Sequence, residues 1–362
     1  MTAFIAAACR TAVAPRGGAF ATLALHDLAA PVIREALNQA GIPPEAVEEL
    51  ILSNALGAGG NPARVAALAS GLPETVAGLS IDRQCAGGLD AILLAHQMIV
   101  SGTAEVVVAG GVESYSRRPL RLRTFADGRP PEAYDQPSFT PWADADPDMA
   151  EAADALGIAR ATQDSWAVNS HAKARKAAMA EGEIVDVAGL ARDAFTRNLT
   201  PALCARAKII TGNVTVANTA VAADAAAFCV VVSEKVASGL AAAPLRIVGG
   251  ATRGGDPRLP GLAPVAAMAH ALERAGIRPA DLSVAEIMEA YAAQAIACVT
   301  RGGIDPAIVN PGGGALARGH PIGASGAINA VRLVHELRRT GGTGLAAIAA
   351  AGGIGSALLL GA

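Results

Sequence analysis

Cys85 combines several features of a catalytic nucleophile. It lies in GLSIDRQCAGGLDAILLAHQ, between a short strand pattern and the first turn of a long apolar helix. The positive end of a helix dipole favours a thiolate, so this position predicts a lowered thiol pKa. Gly87 and Gly88 allow a sharp turn beside the sulfur. We interpret Cys85 as a candidate nucleophile, with a buried structural cysteine as the alternative.

His320 is the candidate partner of that thiol. It lies in NPGGGALARGHPIGASG, where Gly319 and Pro321 confine the imidazole to a tight turn before a helix. A neutral imidazole beside a thiol can take its proton or polarise a thioester carbonyl. A histidine without chemical function is the alternative. The chemistry predicted is nucleophilic attack by Cys85 with His320 as its base.

Other polar or glycine-rich segments give weaker signals. Glu113 and Glu289 follow buried strand patterns, and we interpret both mainly as hydrogen-bond acceptors for loop backbone, although either could orient a neighbouring group. The runs GGGALARG and GGIGSA match neither GxxxxGK[ST] nor GxGxxG, so no nucleotide site is predicted. The histidines and cysteines form no HExxH, His-x-His or CxxC group. We therefore expect no metal site.

The elements that must position Cys85 and His320 occur twice along the chain. ALNQAGIPP at 36–44 and ALERAGIRP at 271–279 share six residues at one constant offset, and each ends a helical pattern. Each half then reads as a strand, a Gly-rich loop, a long helix, a buried strand and a Gly-Gly corner. Chance similarity between Ala-rich helices is the alternative. Equivalent positions in the two repeats predict that the Cys85 and His320 loops meet near the boundary between the halves.

This alternation of strands and helices predicts an α/β fold with a largely parallel sheet covered on both faces. Residues 117–207 differ in composition, with many prolines and charges, and then turn helical. We expect an N-terminal half at 1–116 plus 208–242, an inserted loop domain at 117–207 and a C-terminal half at 243–362.

The bulk composition excludes several classes of protein. Of the 362 residues, 52% are hydrophobic, which supports a large core rather than disorder. A net charge of −3 offers no basic field for nucleic acid or an anionic membrane. No apolar run is long enough to predict a membrane span. Five irregularly spaced cysteines fit free thiols, so we expect a cytoplasmic protein.

The sequence resembles the thiolase family along nearly its whole length. The matching segments include RTAVAPRGGA, IDRQCAGGLDAI, AGGVESYSRRP, GNVTVAN, MEAYAAQ, GGALARGHPIGASG and AGGIGSALL, in the family's order. The resemblance implies two similar five-layered βαβαβ halves with a loop domain, commonly paired as dimers. It also implies acyl-thioester chemistry. Cys85 matches the family nucleophile, and His320 matches the histidine that helps to activate it.

The sequence departs from the family pattern at three positions. Ala349 stands where thiolases carry a second cysteine that handles the α-proton of the attacking thioester. Met288 replaces the NEAF asparagine that helps to hold the thioester oxygen, and a thioether has no donor. Ala220 replaces a serine that contacts the pantetheine arm. The asparagine that Met288 replaces belongs to one of two oxyanion holes. We expect the second one to persist, because it is formed by backbone N–H groups at Cys85 and near Ala351 and Gly352.

These features predict a thiolase-like acyltransferase that forms an acyl-enzyme from an acyl-CoA or carrier-bound thioester, with altered or weakened carbon–carbon bond chemistry. CoA thioester is expected as a substrate, not as a permanently bound cofactor. A homodimer or higher oligomer is expected, and a partner subunit could supply the missing groups. A non-catalytic scaffold subunit and a thioester hydrolase are the alternatives.

Overall fold

The structure is a computed structural model that describes residues 1–57, 59–177 and 180–362. Most of its strands belong to one large sheet, and two short hairpins lie apart from it. The strands are β1 (Ala3–Thr11), β2 (Ala14–Pro15), β3 (Glu49–Ser53), β4 (Leu79–Ile81), β5 (Val106–Ser114), β6 (Arg121–Arg123), β7 (Glu132–Tyr134), β8 (Ile184–Val185), β9 (Ile209–Thr211), β10 (Val214–Thr215), β11 (Ala223–Ser233), β12 (Leu245–Gly254), β13 (Val284–Ile287), β14 (Thr343–Ala350) and β15 (Ile354–Gly361).

The helices cover both faces of this sheet. They are α1 (Leu25–Ala40), α2 (Pro62–Ala69), α3 (Gly87–Val100), α4 (Met149–Asp154), α5 (Arg160–Lys176), α6 (Pro201–Ala205), α7 (Glu234–Ala237), α8 (Ala263–Ala275), α9 (Ala292–Arg301), α10 (Ala315–Arg318) and α11 (Ile322–Thr340). None of the helices in the described residues is long and apolar enough to cross a bilayer.

The strand order repeats between the two halves. It runs β3-β5-β11-β1 in the first half and β13-β14-β15-β12 in the second, and β4 extends the first half at the edge of the sheet. In both halves the first pairing is parallel and the next two are antiparallel. The internal repeat predicted from the sequence is therefore confirmed. The prediction of a largely parallel sheet is wrong, because strands buried on both faces look alike in sequence whichever way they run.

The matching segments ALNQAGIPP and ALERAGIRP end α1 and α8 in the same way. Gly41 (φ 65°) and Gly276 (φ 66°) both adopt the left-handed conformation that terminates a helix. Each glycine is followed by a proline-initiated 3-10 turn, at Pro44–Ala46 and Pro279–Asp281. These turns lead into β3 and β13. The predicted helix stops are confirmed.

The two half-sheets stack around a central pair of helices. Between β1 and β12 only Phe4 with Arg246 and Ile5 with Leu245 are paired, so the halves diverge from this point. The central core contains α3 and α11 together with inward-facing residues of both half-sheets. The outer faces are covered by α1 and α2 in one half and by α8 and α9 in the other. This arrangement gives five layers, as the family resemblance implied.

The segment between β5 and β9 is attached to this core by buried ion pairs. Glu183 accepts from Arg10 at 2.8 Å and from Arg332 at 2.5 Å, and Asp193 accepts from Arg10 at 2.7 Å. Burial opposes ionisation of Glu183, but the two guanidinium groups outweigh it and lower the pKa of this carboxyl to about 2. The segment is thereby fixed to β1 and α11. Its exact boundaries as a domain remain a prediction.

Candidate active site

Cys85 and His320 contact each other in the wall of a cavity of about 420 Å³. Five of the seven residues that the sequence singled out line this cavity: Cys85, His320, Ala220, Ala349 and Ala351. The other two, Met288 and Gly352, are not part of its wall. Each half of the fold contributes one member of the pair, since Cys85 precedes α3 and His320 precedes α11.

Cys85 is held on a strained turn before α3. Cys85 lies in the 3-10 turn Gln84–Ala86, and Gln84 has a left-handed φ of 46°. A non-glycine residue in this region is uncommon and persists only when its surroundings enforce it. The turn packs against α11 and β14.

Close packing of α3 on α11 brings the two loops together. A Cβ on Gly88 would lie 2.8 Å from the backbone nitrogen of Ala327, and one on Gly326 would lie 2.5 Å from that of Leu89. Larger residues at these two glycines would force the helices apart. The separation of Cys85 Sγ and His320 Nε2 is 3.1 Å, which is within hydrogen-bonding distance.

Ser325 holds the imidazole of His320 through Nδ1. The Ser325 hydroxyl lies 3.1 Å from the Pro321 carbonyl, to which it can donate, and 2.7 Å from His320 Nδ1. When the hydroxyl donates its one proton to Pro321, it accepts from Nδ1–H, and the lone pair of Nε2 faces Cys85 Sγ. In this tautomer the imidazole can receive the thiol proton.

Burial keeps both members of the pair neutral. It raises the pKa of the Cys85 thiol to about 12, with smaller contributions from the charges of Glu113 and Asp82. It also lowers the pKa of His320 to about 4. The prediction that the helix terminus would lower the thiol pKa is wrong, because loss of solvation outweighs the dipole here.

The segment before β11 forms the wall between the histidine and the MEAY turn. The backbone N–H of His320 donates to the Val221 carbonyl at 2.7 Å, and the backbone N–H of Ala220 donates to the Ala290 carbonyl at 2.9 Å. Ala220 offers only a methyl group to the cavity. The Thr219 hydroxyl beside it is buried and has no hydrogen-bond partner among the described residues.

The remaining predicted site residues lie in the last residues of β14 or directly after β13 and β14. Ala349 and Ala351 present small apolar side chains to the cavity. The side chain of Met288 is buried in the central core instead, where a long apolar chain packs best. Gly352 has a left-handed φ of 76°, and a Cβ on it would lie 3.0 Å from the carbonyl oxygen of Phe139, which lines the cavity.

Glu113 and Glu289 bind loop backbone, as the sequence predicted. Glu113 accepts from the N–H groups of Ala55 at 3.0 Å and Gly323 at 3.1 Å, which ties a cavity loop to the start of α11. Glu289 accepts from the N–H of Leu316 at 3.2 Å. It also accepts from side chains of three neighbours: Trp166, Ser170 and Asn310.

Sequence analysis missed two tyrosines in the cavity wall, Tyr115 and Tyr291. Each lies two residues after a glutamate that had been noted, Glu113 or Glu289. Their positions after buried strands, in a chain with only three tyrosines, were a usable signal. Elsewhere in the described residues no group of three or more His, Cys, Asp or Glu side chains is placed to hold a metal ion.

Comparisons with known proteins agree with this geometry. Residues 3–235 match the family described as "Thiolase, N-terminal domain", and residues 241–362 match "Thiolase, C-terminal domain". An acetyl-CoA acetyltransferase of Cupriavidus necator is 39% identical, with 98% of each chain covered. The crystal structure of the Bacillus anthracis acetyl-CoA acetyltransferase superposes with a TM-score of 0.91 at 34% identity, covering 99% of this chain and 98% of that one. The chain belongs to the thiolase family.

Proposed function

We propose that this protein is a thiolase-type acyltransferase that forms an acyl-enzyme on Cys85 from an acyl-CoA or a related thioester. The observation that carries the proposal is the 3.1 Å contact between Cys85 Sγ and His320 Nε2, with Nδ1 fixed by Ser325. The acetyl-CoA acetyltransferase names of its relatives support the same class of reaction.

The acylation step follows from the neutral pair. Cys85 Sγ attacks the thioester carbonyl carbon while its proton passes to His320 Nε2. The carbon–sulfur bond of the donor then breaks, and the leaving thiolate takes the proton back from the imidazole. The products are the Cys85 thioester and free thiol. The backbone N–H groups of Cys85 and Ala351 are our candidates for holding the carbonyl oxygen.

We further propose that carbon–carbon bond chemistry is altered or weak in this protein. Ala349 lies in the cavity wall with a methyl group that cannot carry a proton. Met288 lies outside the wall and has no donor. A general acid/base contributes about 10²–10⁴-fold, and one oxyanion donor about 10²–10³-fold. The loss of both favours transfer of the acyl group to another acceptor, or completion of the reaction by a partner subunit.

The cellular setting is part of the proposal. The cysteines of the described residues are free thiols, which supports a cytoplasmic location. The donor thiol would be CoA or a carrier protein bearing the same arm. A homodimer or higher oligomer is proposed from the family resemblance.

Intact-protein mass spectrometry tests the proposal. We expect acetyl-CoA or a longer acyl-CoA to add one acyl mass to the protein, and Cys85→Ala to abolish the adduct. Cys204→Ala, which removes a buried thiol of α6 outside the cavity, should keep it. The absence of an adduct with CoA-bound and carrier-bound donors would contradict the proposal and favour a scaffold subunit. Release of free acid without an acceptor would identify a hydrolase.

A further inference from the structure

We propose that the hydroxyl group of Tyr115 donates a hydrogen bond to the acyl carbonyl oxygen while Cys85 attacks it, and so acts as an oxyanion donor. This inference rests on the proposed acylation of Cys85. It assigns a catalytic role to a residue to which the family resemblance assigned none, although the residue lies in the matching segment AGGVESYSRRP. The role suits a cavity in which Met288 and Ala349 provide no donor.

The strand β5 directs Tyr115 toward the catalytic loops. Alternate residues of a strand share a face, and Gly111, Glu113 and Tyr115 are spaced by two. A Cβ on Gly111 would lie 2.0 Å from the Gly323 carbonyl oxygen, and Glu113 accepts from the Gly323 N–H. Both residues therefore face the first turn of α11, which begins directly after His320. Tyr115 extends this row past the end of β5, and its side chain lines the cavity of Cys85 and His320.

The phenol group is available to a ligand. Within residues 1–57, 59–177 and 180–362, the Tyr115 hydroxyl makes no hydrogen bond, although the residue is half-buried. The Arg118 guanidinium lies 5.8 Å from the centre of the ring. This contact orients the ring without using its hydroxyl. An incoming carbonyl oxygen is the acceptor that the position lacks.

The electrostatic surroundings of the phenol agree with this assignment. Burial raises the pKa of Tyr115, and a negative charge on Cys85 raises it further, more than any other charge does. A charge on Cys85 has this effect because it repels the ionised phenolate of Tyr115. Tyr115 therefore remains a donor at neutral pH. It also lies close enough to Cys85 to feel charge that develops there.

The second phenol of the cavity is placed differently. Tyr291 packs against Ala150 and Ala153 of α4 and against Val214. After burial, the first cause of its raised pKa is the charge of Asp148, with Cys85 second. Asp148 caps α4, on the side of the cavity formed by the inserted segment. Tyr115 is therefore the phenol assigned to the acyl carbonyl.

Two rates measured on the same thiol test the assignment. Acylation of Cys85 by acetyl-CoA develops an oxyanion, whereas alkylation of Cys85 by iodoacetamide does not. We expect Tyr115→Phe to lower the acylation rate constant by about 10²-fold, as for other oxyanion donors, and to change the alkylation rate less than about 3-fold. Tyr134→Phe, which alters a tyrosine of β7 outside the cavity, is the matched control and should change neither rate.

Each outcome supports or overturns the assignment of Tyr115 as an oxyanion donor. A selective loss of acylation in Tyr115→Phe supports the inference. Equal acylation in Tyr115→Phe and the parent overturns it, as does a loss found in Tyr291→Phe instead. A parallel loss of alkylation in Tyr115→Phe also overturns it, because the tyrosine would then merely position the thiol. If the parent is alkylated but never acylated, the proposed function fails together with the inference.

Discussion

The two sets of residues around the catalytic cavity differ in what they can do chemically. Cys85 and His320, which we call the acylating pair after their proposed role, lie 3.1 Å apart, and Ser325 lies 2.7 Å from the imidazole. Ala220, Met288 and Ala349, the apolar positions, stand where the family resemblance implies a hydroxyl, an amide and a thiol. The first set offers a candidate nucleophile and base for attack on a thioester, and the second offers no proton carrier.

This difference affects the two half-reactions of a thiolase, acylation and carbon–carbon bond formation, in different ways. Acylation needs a nucleophile, a base and oxyanion donors, and the cavity has candidates for each. Formation of a carbon–carbon bond also needs removal of an α-proton from a second thioester. The apolar positions cannot supply that step. We therefore expect the two half-reactions to have very different rates in this protein.

Removal of the base should have the largest effect on the acylating pair. We expect His320→Ala to lower the rate of acyl-adduct formation by about 10²–10⁴-fold, because the thiol loses its proton acceptor. The measurement is a time course of the Cys85 adduct by mass spectrometry. His335→Ala changes a histidine of α11 that binds the Ala8 carbonyl, outside the cavity, and serves as the control. Equal rates in His320→Ala and the parent would contradict the role of the imidazole.

Restoration of a proton carrier among the apolar positions should give the next largest effect. We expect Ala349→Cys to raise the rate of acetoacetyl-CoA formation from acetyl-CoA by about 10²-fold, the lower end for a general acid/base, because Met288 still lacks a donor. Ala349→Ser is the control, since a hydroxyl is far less acidic than a thiol. A parent that condenses acetyl-CoA as fast as Ala349→Cys would show that the apolar positions do not limit the reaction.

Loss of the hydroxyl that orients the imidazole should have a smaller effect. We expect Ser325→Ala to slow acylation by about 10-fold, the equivalent of one hydrogen bond of roughly 1.4 kcal/mol. Ser325→Thr keeps the hydroxyl and should recover most of the rate. If Ser325→Thr were as slow as Ser325→Ala, crowding in α11 rather than the hydroxyl would explain the loss.

The smallest expected effect is the response to mildly acidic pH. Burial lowers the pKa of His320 to about 4, so its base form persists above that value and is lost only as the pH falls through it. We therefore expect the acylation rate of the parent to change less than about 2-fold between pH 8 and pH 5.5. Circular dichroism at each pH checks that the protein stays folded. Loss of half the rate near pH 6.5 would mean that the imidazole is solvated.

The sequence predicted the pairing of Cys85 with His320 because local signals and topology agreed. Both residues precede long helices in equivalent parts of an internal repeat, and the repeat brings those helices together. Strand directions could not be predicted in the same way, because a strand buried on both faces has no sequence feature that reports its direction. The sheet is mixed because β11 lies antiparallel between β5 and β1, and β15 lies antiparallel between β14 and β12. Only the folded structure shows these positions.

The properties of individual side chains were harder to predict. The helix terminus suggested a thiolate at Cys85, but burial of the turn between α3, α11 and β14 decides the pKa instead. The side chain of Met288 packs in the central core and does not line the cavity. Tyr115 enters the cavity because β5 ends beside α11, a contact between segments more than two hundred residues apart in the sequence.

A comparison of the two half-reactions tests the central claim most directly. The parent would be incubated with acetyl-CoA and isotopically labelled CoA, and both label exchange and acetoacetyl-CoA would be followed in one sample. The account predicts that exchange, which needs only the Cys85 acyl-enzyme, exceeds condensation by about 10²-fold or more. Condensation at a rate close to that of exchange, or the absence of exchange, would contradict it.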